Sequence, residues 1–224
     1  MHSLQGSFCT GFNRGDMDMI HTIVFDMGNV LTKYTLDDCI YRYVDTDETF
    51  AIFKKEVCGS DEWLAMDRGT MTDEEAIVSI CKRLPIELHE VVKRFVDEFR
   101  MLPEDNPPME NLICRLREAG YRLYLFSNTA SRFHRFSKNI PSIAYMDGLW
   151  LSCEHGYLKP EREAYESFFA KFDLIPQECL FIDDTPANIE AAAEFGMQGI
   201  VYHGDVEELE RELLFSFQFA INSL

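Results

Sequence analysis

The second half of the chain alternates between strand-like and helix-like stretches, and this alternation constrains the fold more than any other feature. Four short stretches are rich in β-branched and aromatic residues, which favour buried strands: YRLYLFS, GLWLS, CLFID and GIVYH. Amphipathic stretches of helical period, such as MENLICRLREAG and EREAYESFFAKF, lie between them. Strands that alternate with helices form parallel βαβ units. The sequence therefore predicts an α/β fold with a doubly wound, Rossmann-like parallel sheet.

An earlier strand and a helical segment complete the predicted layout. TIVFD, residues 22–26, is typical of a buried strand. Residues 35–105 are rich in Asp, Glu, Lys and Phe at helical spacing, and Thr72 with Glu75 forms a capping-box pattern. We therefore predict an α/β core domain of residues 21–34 and 106–224, with residues 35–105 as a small inserted helical cap. Residues 1–20 lack the apolar segment of a signal peptide, and we expect them to form a disordered leader.

Charge and cysteine content limit the possible partners. The formal net charge is −18, which argues against nucleic-acid binding because a phosphate backbone requires a basic surface. An anionic substrate would need a local cation. The seven scattered cysteines are odd in number and form no CxxC pair, which indicates reduced thiols. No apolar run reaches transmembrane length. We expect a cytoplasmic protein without membrane or nucleic-acid partners, as a monomer or a weak homodimer.

Polar side chains cluster where three of the predicted strands end. In an open parallel sheet the carboxyl ends of the strands form the ligand crevice, so residues far apart in sequence can meet there. Taken singly, each residue also has an ordinary interpretation as a turn former or helix cap. Three strands that all end in such groups are better explained by a functional site. The residues are Asp26, Ser127, Asn128, Thr129, Asp183 and Asp184.

Four stretches resemble, in order, the four motifs of the haloacid dehalogenase-like hydrolase superfamily: VFDMGNVL, LFSNT, LKPE and LFIDDTPANIEAA. The helical segment after the first motif resembles that superfamily's small helical cap. The first motif and WLAMDRGTMTDEEA are most similar to the branch that holds bacterial sugar-1-phosphate phosphatases and the N-terminal domain of soluble epoxide hydrolase. The resemblance covers about residues 21–205.

The resemblance implies phosphoryl transfer through an aspartyl-phosphate. Asp26 is implied as the nucleophile, which divides one difficult step into two. Ser127 and the Asn128 backbone N–H are implied as donors to the phosphoryl oxygens, with Thr129 as a further substrate contact. Lys159 is implied as the cation beside them, which would offset the anionic charge of the chain. The implied ligands of Mg²⁺ are Asp26, the carbonyl of Gly28, Asp183 and Asp184.

The chain departs from the family pattern at the general acid/base. Most phosphatases of the superfamily carry a second Asp two residues after the nucleophile, and here that position is Gly28. Such a group typically contributes about 10² to 10⁴ in rate. The leaving group could need little help, as in a sugar 1-phosphate, or Asp67 of the cap could replace the missing carboxyl. In a third interpretation, the protein is a catalytically weak phosphate-binding or regulatory member of the family. The first two are favoured, and they predict a Mg²⁺-dependent phosphatase of a small phosphorylated metabolite, a sugar phosphate.

The DRG turn of the predicted cap is a candidate for substrate recognition. We expect Arg68 to contact the substrate and Gly69 to permit a tight backbone turn. The alternative is an ordinary helix–turn–helix connection with an exposed arginine.

Overall fold

A five-stranded parallel sheet forms the centre of the computed structural model, which describes residues 20–33, 35–99, 104–217 and 219. The central strand, β1, is buried along its whole length, as expected of the continuous apolar run TIVF in a parallel sheet. The α/β prediction is confirmed. In spatial order the strands are β5 (Gly148–Leu151), β4 (Arg122–Ser127), β1 (Thr22–Phe25), β6 (Cys179–Asp183) and β7 (Gln198–Val201).

Helices cover both faces of the sheet, which confirms the doubly wound architecture. Ile23 and Phe25 of β1 pack into the apolar cluster on one face, whereas Val24 packs into the cluster on the other, following the two-residue period of a strand. The first cluster includes residues of α6 (Pro107–Glu118) and α11 (Val206–Phe215). The second includes residues of α9 (Arg162–Phe172) and α10 (Pro186–Ala193). Two short helices, α7 (Phe133–Phe136) and α8 (Ser152–His155), follow β4 and β5.

A helical insert (residues 35–99) lies between β2 (Thr32–Lys33) and β3 (Glu104–Asp105), two short strands that pair antiparallel. The insert has its own apolar cluster, which includes Phe53 and Phe95. The predicted capping box at Thr72 and Glu75 is present. The helices are α1 (Leu36–Tyr41), α2 (Asp47–Phe53, continued as a π-helix over Lys54–Cys58), α3 (Asp61–Arg68), α4 (Asp73–Cys81) and α5 (His89–Glu98).

Several sequence-based expectations concern the ends and the surface of the chain. The predicted leader lies outside the described residues except for Ile20, which is buried in the core and therefore does not belong to a disordered segment. The six cysteines of the described ranges are free. Within the same ranges, the helices are too short or too polar to cross a membrane. The domain boundaries at residues 34/35 and 105/106 remain predictions.

Candidate active site

A cavity of about 330 Å³ opens where β1, β4 and β6 end, between the sheet and the helical insert. Seven of the predicted site residues line this cavity, and an eighth, Asp183, is fully buried just beneath it. The carboxyl-end rule for open sheets therefore brings the polar groups at the three strand ends together, as the sequence predicted. The seven lining residues are Asp26, Gly28, Ser127, Asn128, Thr129, Lys159 and Asp184.

A buried lysine joins two of the strand ends. Nζ of Lys159 lies 2.7 Å from Oδ1 of Asp26 and 2.7 Å from Oδ2 of Asp183. Burial opposes the charge on Lys159, but the two carboxylates outweigh it and raise its pKa. Burial raises the pKa of Asp26 to about 6, with the Asp183 charge adding to this effect and Lys159 opposing it. The site thus holds a permanent cation against a carboxylate at the mouth of the sheet.

Asp183 is held rigidly by its own loop and helix. Nδ2 of Asn188 donates to both of its oxygens, at 3.1 and 2.9 Å, and the backbone N–H of Thr185 donates to Oδ1 at 2.8 Å. These three hydrogen bonds, with Lys159, fix the carboxylate in one orientation. The sequence analysis did not single out Asn188. Its position on the first turn of α10, five residues after Asp183, is the signal that could have indicated it.

Asp184 is oriented by a residue of the first motif. Nδ2 of Asn29 donates to Oδ2 of Asp184 at 3.0 Å. Each of the carboxylates of Asp26, Asp183 and Asp184 offers an oxygen, and these oxygens lie within 4.8 Å of one another. Carboxylate oxygens are the ligands that a hard divalent cation prefers, and Mg²⁺ binds through few of them because it retains several waters. The donor set therefore fits Mg²⁺.

The loop after β4 positions the lysine and contacts the helical insert. The side chain of Asn128 donates to the carbonyl of Lys159 at 2.9 Å and accepts from its N–H at 2.8 Å. The N–H of Thr129 donates to Oγ of Ser152 at 2.8 Å, and that hydroxyl donates to the carbonyl of Asp67 at 2.5 Å. Ser152, which the sequence analysis did not single out, thus connects the strand-end loop to α3.

Arg68 does not reach the cavity, so the contact predicted for it requires correction. Its guanidinium donates to both carboxylate oxygens of Glu161, at 2.8 and 2.5 Å, and to the carbonyl of Gly156 at 3.0 Å. The neighbouring Asp67 lines the cavity instead. Gly69 has a φ of 75°, and a Cβ there would lie 2.0 Å from the carbonyl oxygen of Cys153. The tight turn expected at Gly69 is therefore present, but it directs Arg68 away from the site.

Arg132 is a buried cation of the cavity wall that the sequence analysis missed. It is 4% exposed, donates to Oδ1 of Asp73 at 2.9 Å, and lies 4.7 Å from the ring centroid of Trp63. Asp73 also accepts from Arg135 at 2.7 Å. These pairs tie α4 of the insert to the loop after β4 and to α7. No local pattern indicates them, because the partners are 59 and 62 residues apart.

Comparisons with known proteins agree with the sequence motifs. The family model described as haloacid dehalogenase-like hydrolase matches residues 20–196. A sesquiterpene phosphatase of Aspergillus oryzae is 26% identical over 178 residues, which cover 79% of this chain and 87% of that protein. A D-ribitol-5-phosphate phosphatase of Bacteroides thetaiotaomicron is 27% identical over 193 residues, which cover 80% and 90%.

A solved structure has the same fold. It is a haloacid dehalogenase-family enzyme of Bacteroides thetaiotaomicron in complex with magnesium and inorganic phosphate, and it is 23% identical to this chain. The match has a TM-score of 0.70 and covers 85% of this chain and 98% of the other. At this level of identity the likeness shows the shared fold.

Proposed function

Because the chain belongs to the haloacid dehalogenase-like hydrolase family, we propose that it is a Mg²⁺-dependent phosphatase of a small phosphorylated metabolite. The observation that carries this proposal is the contact of 2.7 Å between Nζ of Lys159 and Asp26, beside the cluster of three carboxylates. A buried carboxylate with a fixed cation is suited to attack an anionic phosphoryl group. Lys159 alone does not balance the three carboxylates, and the Mg²⁺ that they would hold adds the positive charge that phosphate binding requires.

The proposed reaction has two steps. A carboxylate oxygen of Asp26 attacks phosphorus, the bond from phosphorus to the alcohol oxygen breaks, and the leaving alkoxide takes a proton. Water then attacks the aspartyl-phosphate, which releases inorganic phosphate and a proton and regenerates the carboxylate. Lys159 stabilises the charge on the transferred group, and Ser127 with the Asn128 N–H donates to its oxygens.

The carboxylates of Asp26, Asp183 and Asp184, with the carbonyl of Gly28, would hold Mg²⁺. The cation supplies charge that stabilises the phosphoryl oxygens. Asn188 and Asn29 keep two of these carboxylates in place before a cation arrives. Such preorganisation lowers the cost of reorganisation at the moment of reaction.

Gly28 leaves the source of the leaving-group proton open. The predicted sugar phosphate rests only on the leaving group, since an anomeric alcohol leaves more readily than a simple one, and the lining of the cavity is a separate criterion for the substrate class. The names of the two phosphatase relatives give different substrates, a sesquiterpene phosphate for one and ribitol 5-phosphate for the other. The relatives therefore do not indicate one substrate class. Because Gly28 offers no acid/base group, it also supports a competing proposal, in which the protein binds phosphate but is catalytically weak. A cytoplasmic location, a monomeric or weakly dimeric state and the absence of nucleic-acid partners remain predictions.

Phosphate release from a panel of phosphomonoesters, with Mg²⁺ and with EDTA, tests the proposal. We expect metal-dependent release by the wild type and none by Asp26→Asn. The matched control is Asp173→Asn, at an exposed position with a φ of 51° that asparagine tolerates. Tight binding of beryllofluoride without release from any ester would instead favour the regulatory protein.

A further inference from the structure

The cavity changes character with distance from Asp26. Its inner end is polar, because the loops after β1, β4 and β6 form it. The remaining wall is largely apolar and comes from the helical insert, from α7 and from the turns after it. On the basis of this contrast, and resting on the phosphatase proposed above, we propose that the substrate is the phosphate ester of a hydroxyl-poor alcohol with an apolar carbon skeleton.

Two parts of the chain build the apolar wall. Leu36, Trp63 and Phe99 line it from the helical insert. Phe136 and Ile140 line it from the segment after β4, and both side chains are largely buried. Among the described lining residues of the insert, Asp67 is the one with a charged side chain. A volume of about 330 Å³ lies at the small end of the range for ligand pockets. It would enclose one ring or a short chain beyond the phosphate.

A polyhydroxylated substrate would find few partners on this wall. Each buried hydroxyl without a hydrogen-bond partner lowers affinity by about tenfold. The hydroxyl of Thr32 donates to the carbonyl of Met27 at 3.3 Å. Arg132 donates to Asp73 and to the sulfur of Met66, and its guanidinium lies over the Trp63 ring.

Asp67 and the N–H groups of Arg132 other than those on Nη1 are left as the available polar groups of the wall. The Asp67 carboxyl has no hydrogen bond to the part of the chain that the structure describes, and its charge interacts with Arg132 and Asp73. The carboxyl and the guanidinium together can satisfy two or three hydroxyls, whereas a hexose ester carries four. An apolar skeleton requires no partner, and each methylene that it buries raises affinity about fourfold.

A matched pair of substrates isolates the role of the wall. Glucose 6-phosphate and cyclohexylmethyl phosphate both carry the phosphate on a primary carbon next to a six-membered ring. They differ in the ring hydroxyls and ring oxygen, so the chemistry of the leaving group is similar and the comparison reports binding of the ring. We expect kcat/KM with Mg²⁺ to be at least about tenfold higher for the cyclohexylmethyl ester.

Variants of the wall test whether this preference arises there. Leu36→Gln places an amide in the wall and should reduce the preference several-fold. Trp63→Leu reduces the aromatic surface and provides a second variant if the first does not fold, as judged by circular dichroism. The control is Leu64→Gln, because Leu64 is 54% exposed and does not line the cavity. A preference that disappears in the wall variants and persists in the control supports the proposal.

The remaining outcomes separate the two proposals. Metal-dependent turnover with an equal or greater kcat/KM for glucose 6-phosphate overturns the apolar substrate class and leaves the phosphatase intact. If no ester is hydrolysed, the phosphatase proposal fails. The apolar ligand class is then tested by calorimetric titration of the wild-type protein with the non-hydrolysable phosphonates that correspond to the two esters. Tighter binding of the cyclohexyl phosphonate would support an apolar ligand class, whereas equal or weaker binding would overturn it.

Discussion

Asn29 donates a hydrogen bond of 3.0 Å to Asp184, a residue 155 positions later in the chain. Its backbone has a φ of 56°, in the left-handed region that asparagine adopts more readily than most residues. Asparagine retains the backbone turn of a glycine and adds an amide that orients a proposed metal ligand.

We expect Asn29→Gly to weaken Mg²⁺ binding by about tenfold, because glycine preserves the turn but removes the hydrogen bond to Asp184. Calorimetric titration of Mg²⁺ into the metal-free protein measures the affinity independently of turnover. The Mg²⁺ concentration that gives half-maximal phosphate release should rise by a similar factor. Identical titrations for wild type and variant would show that Asp184 needs no such support.

Lys159→Met should destabilise the protein in EDTA by about 3–5 kcal/mol at neutral pH, because it leaves the buried carboxylates of Asp26 and Asp183 without a counter-charge. Mg²⁺ should restore part of this loss, since it binds the folded state and supplies positive charge at the same carboxylates. Denaturant unfolding with EDTA and with Mg²⁺ measures both effects. A variant as stable as the wild type in EDTA would contradict the role assigned to the lysine.

Asp73→Asn should cost about 3–5 kcal/mol of unfolding free energy, because it leaves the guanidinium of Arg132 buried without its carboxylate. The side chains of Arg132 and Asp73 are only 4% and 7% exposed. The control is Asp37→Asn, which breaks an ion pair with Lys54 whose side chains are 51% and 50% exposed. That exposed pair should contribute less than about 1 kcal/mol. Similar midpoints of urea unfolding for the two variants would argue against a buried connection between α4 and the core.

The sequence predicted the sheet and the residues at its carboxyl edge because both depend on local patterns. TIVF and CLFID are continuous apolar runs, and such runs become inner strands of a parallel sheet. The position of Asp26 and Asp183 at the ends of two adjacent strands then follows from topology. The strands at Thr32–Lys33 and Glu104–Asp105 escaped prediction, because two residues cannot display a period of two.

Contacts between the insert and the core could not be predicted, because they depend on the rotation of helices about their axes. Successive side chains on a helix point about 100° apart. The docking of Gly69 against Cys153 sets the rotation of α3, so Asp67 faces the cavity and Arg68 faces Glu161. The apolar wall of the cavity also depends on how the helices of the insert are rotated and packed. Trp63 and Phe99 are ordinary core residues by sequence, and only the packing of the insert brings them to the cavity.

Asp67 should make stability depend on pH. Burial raises its pKa from the ordinary 3.8 to about 6, with Arg132 opposing the rise and Asp73 adding to it. The folded state binds the proton of Asp67 more tightly than the unfolded state does. The protonated carboxyl therefore adds to the free energy of unfolding, fully below pH 3.8, and this contribution is lost as the pH rises through about 6.

Asp67→Asn cannot titrate, so its unfolding free energy relative to wild type should rise by about 1–2 kcal/mol between pH 4 and pH 7. Thermal unfolding of both proteins at half-unit pH intervals measures the difference, which amounts to several degrees in Tm. Parallel curves across this range would indicate that the carboxyl of Asp67 is hydrated in solution.

Gly69 and Gly120 share a left-handed backbone but differ in their surroundings. Their φ values are 75° and 92°. A Cβ on Gly69 would lie 2.0 Å from the Cys153 carbonyl oxygen, whereas a Cβ on Gly120 would have nothing within 4 Å. Substitution at Gly120 therefore adds backbone strain alone, and substitution at Gly69 adds the same strain and a clash with the core.

We expect Gly120→Ala to lower the unfolding free energy by about 1 kcal/mol, the cost of a left-handed alanine. Gly69→Ala should lower the unfolding free energy by about 2 kcal/mol more than Gly120→Ala does, because the C-terminus of α3 must move away from α8 to relieve the clash. The movement would also displace Asp67 and Trp63 from the cavity wall, so kcat/KM should fall in Gly69→Ala and stay unchanged in Gly120→Ala. Equal losses of stability, measured by urea unfolding, would mean that the contact between Gly69 and Cys153 relaxes without cost and does not fix α3 over the site.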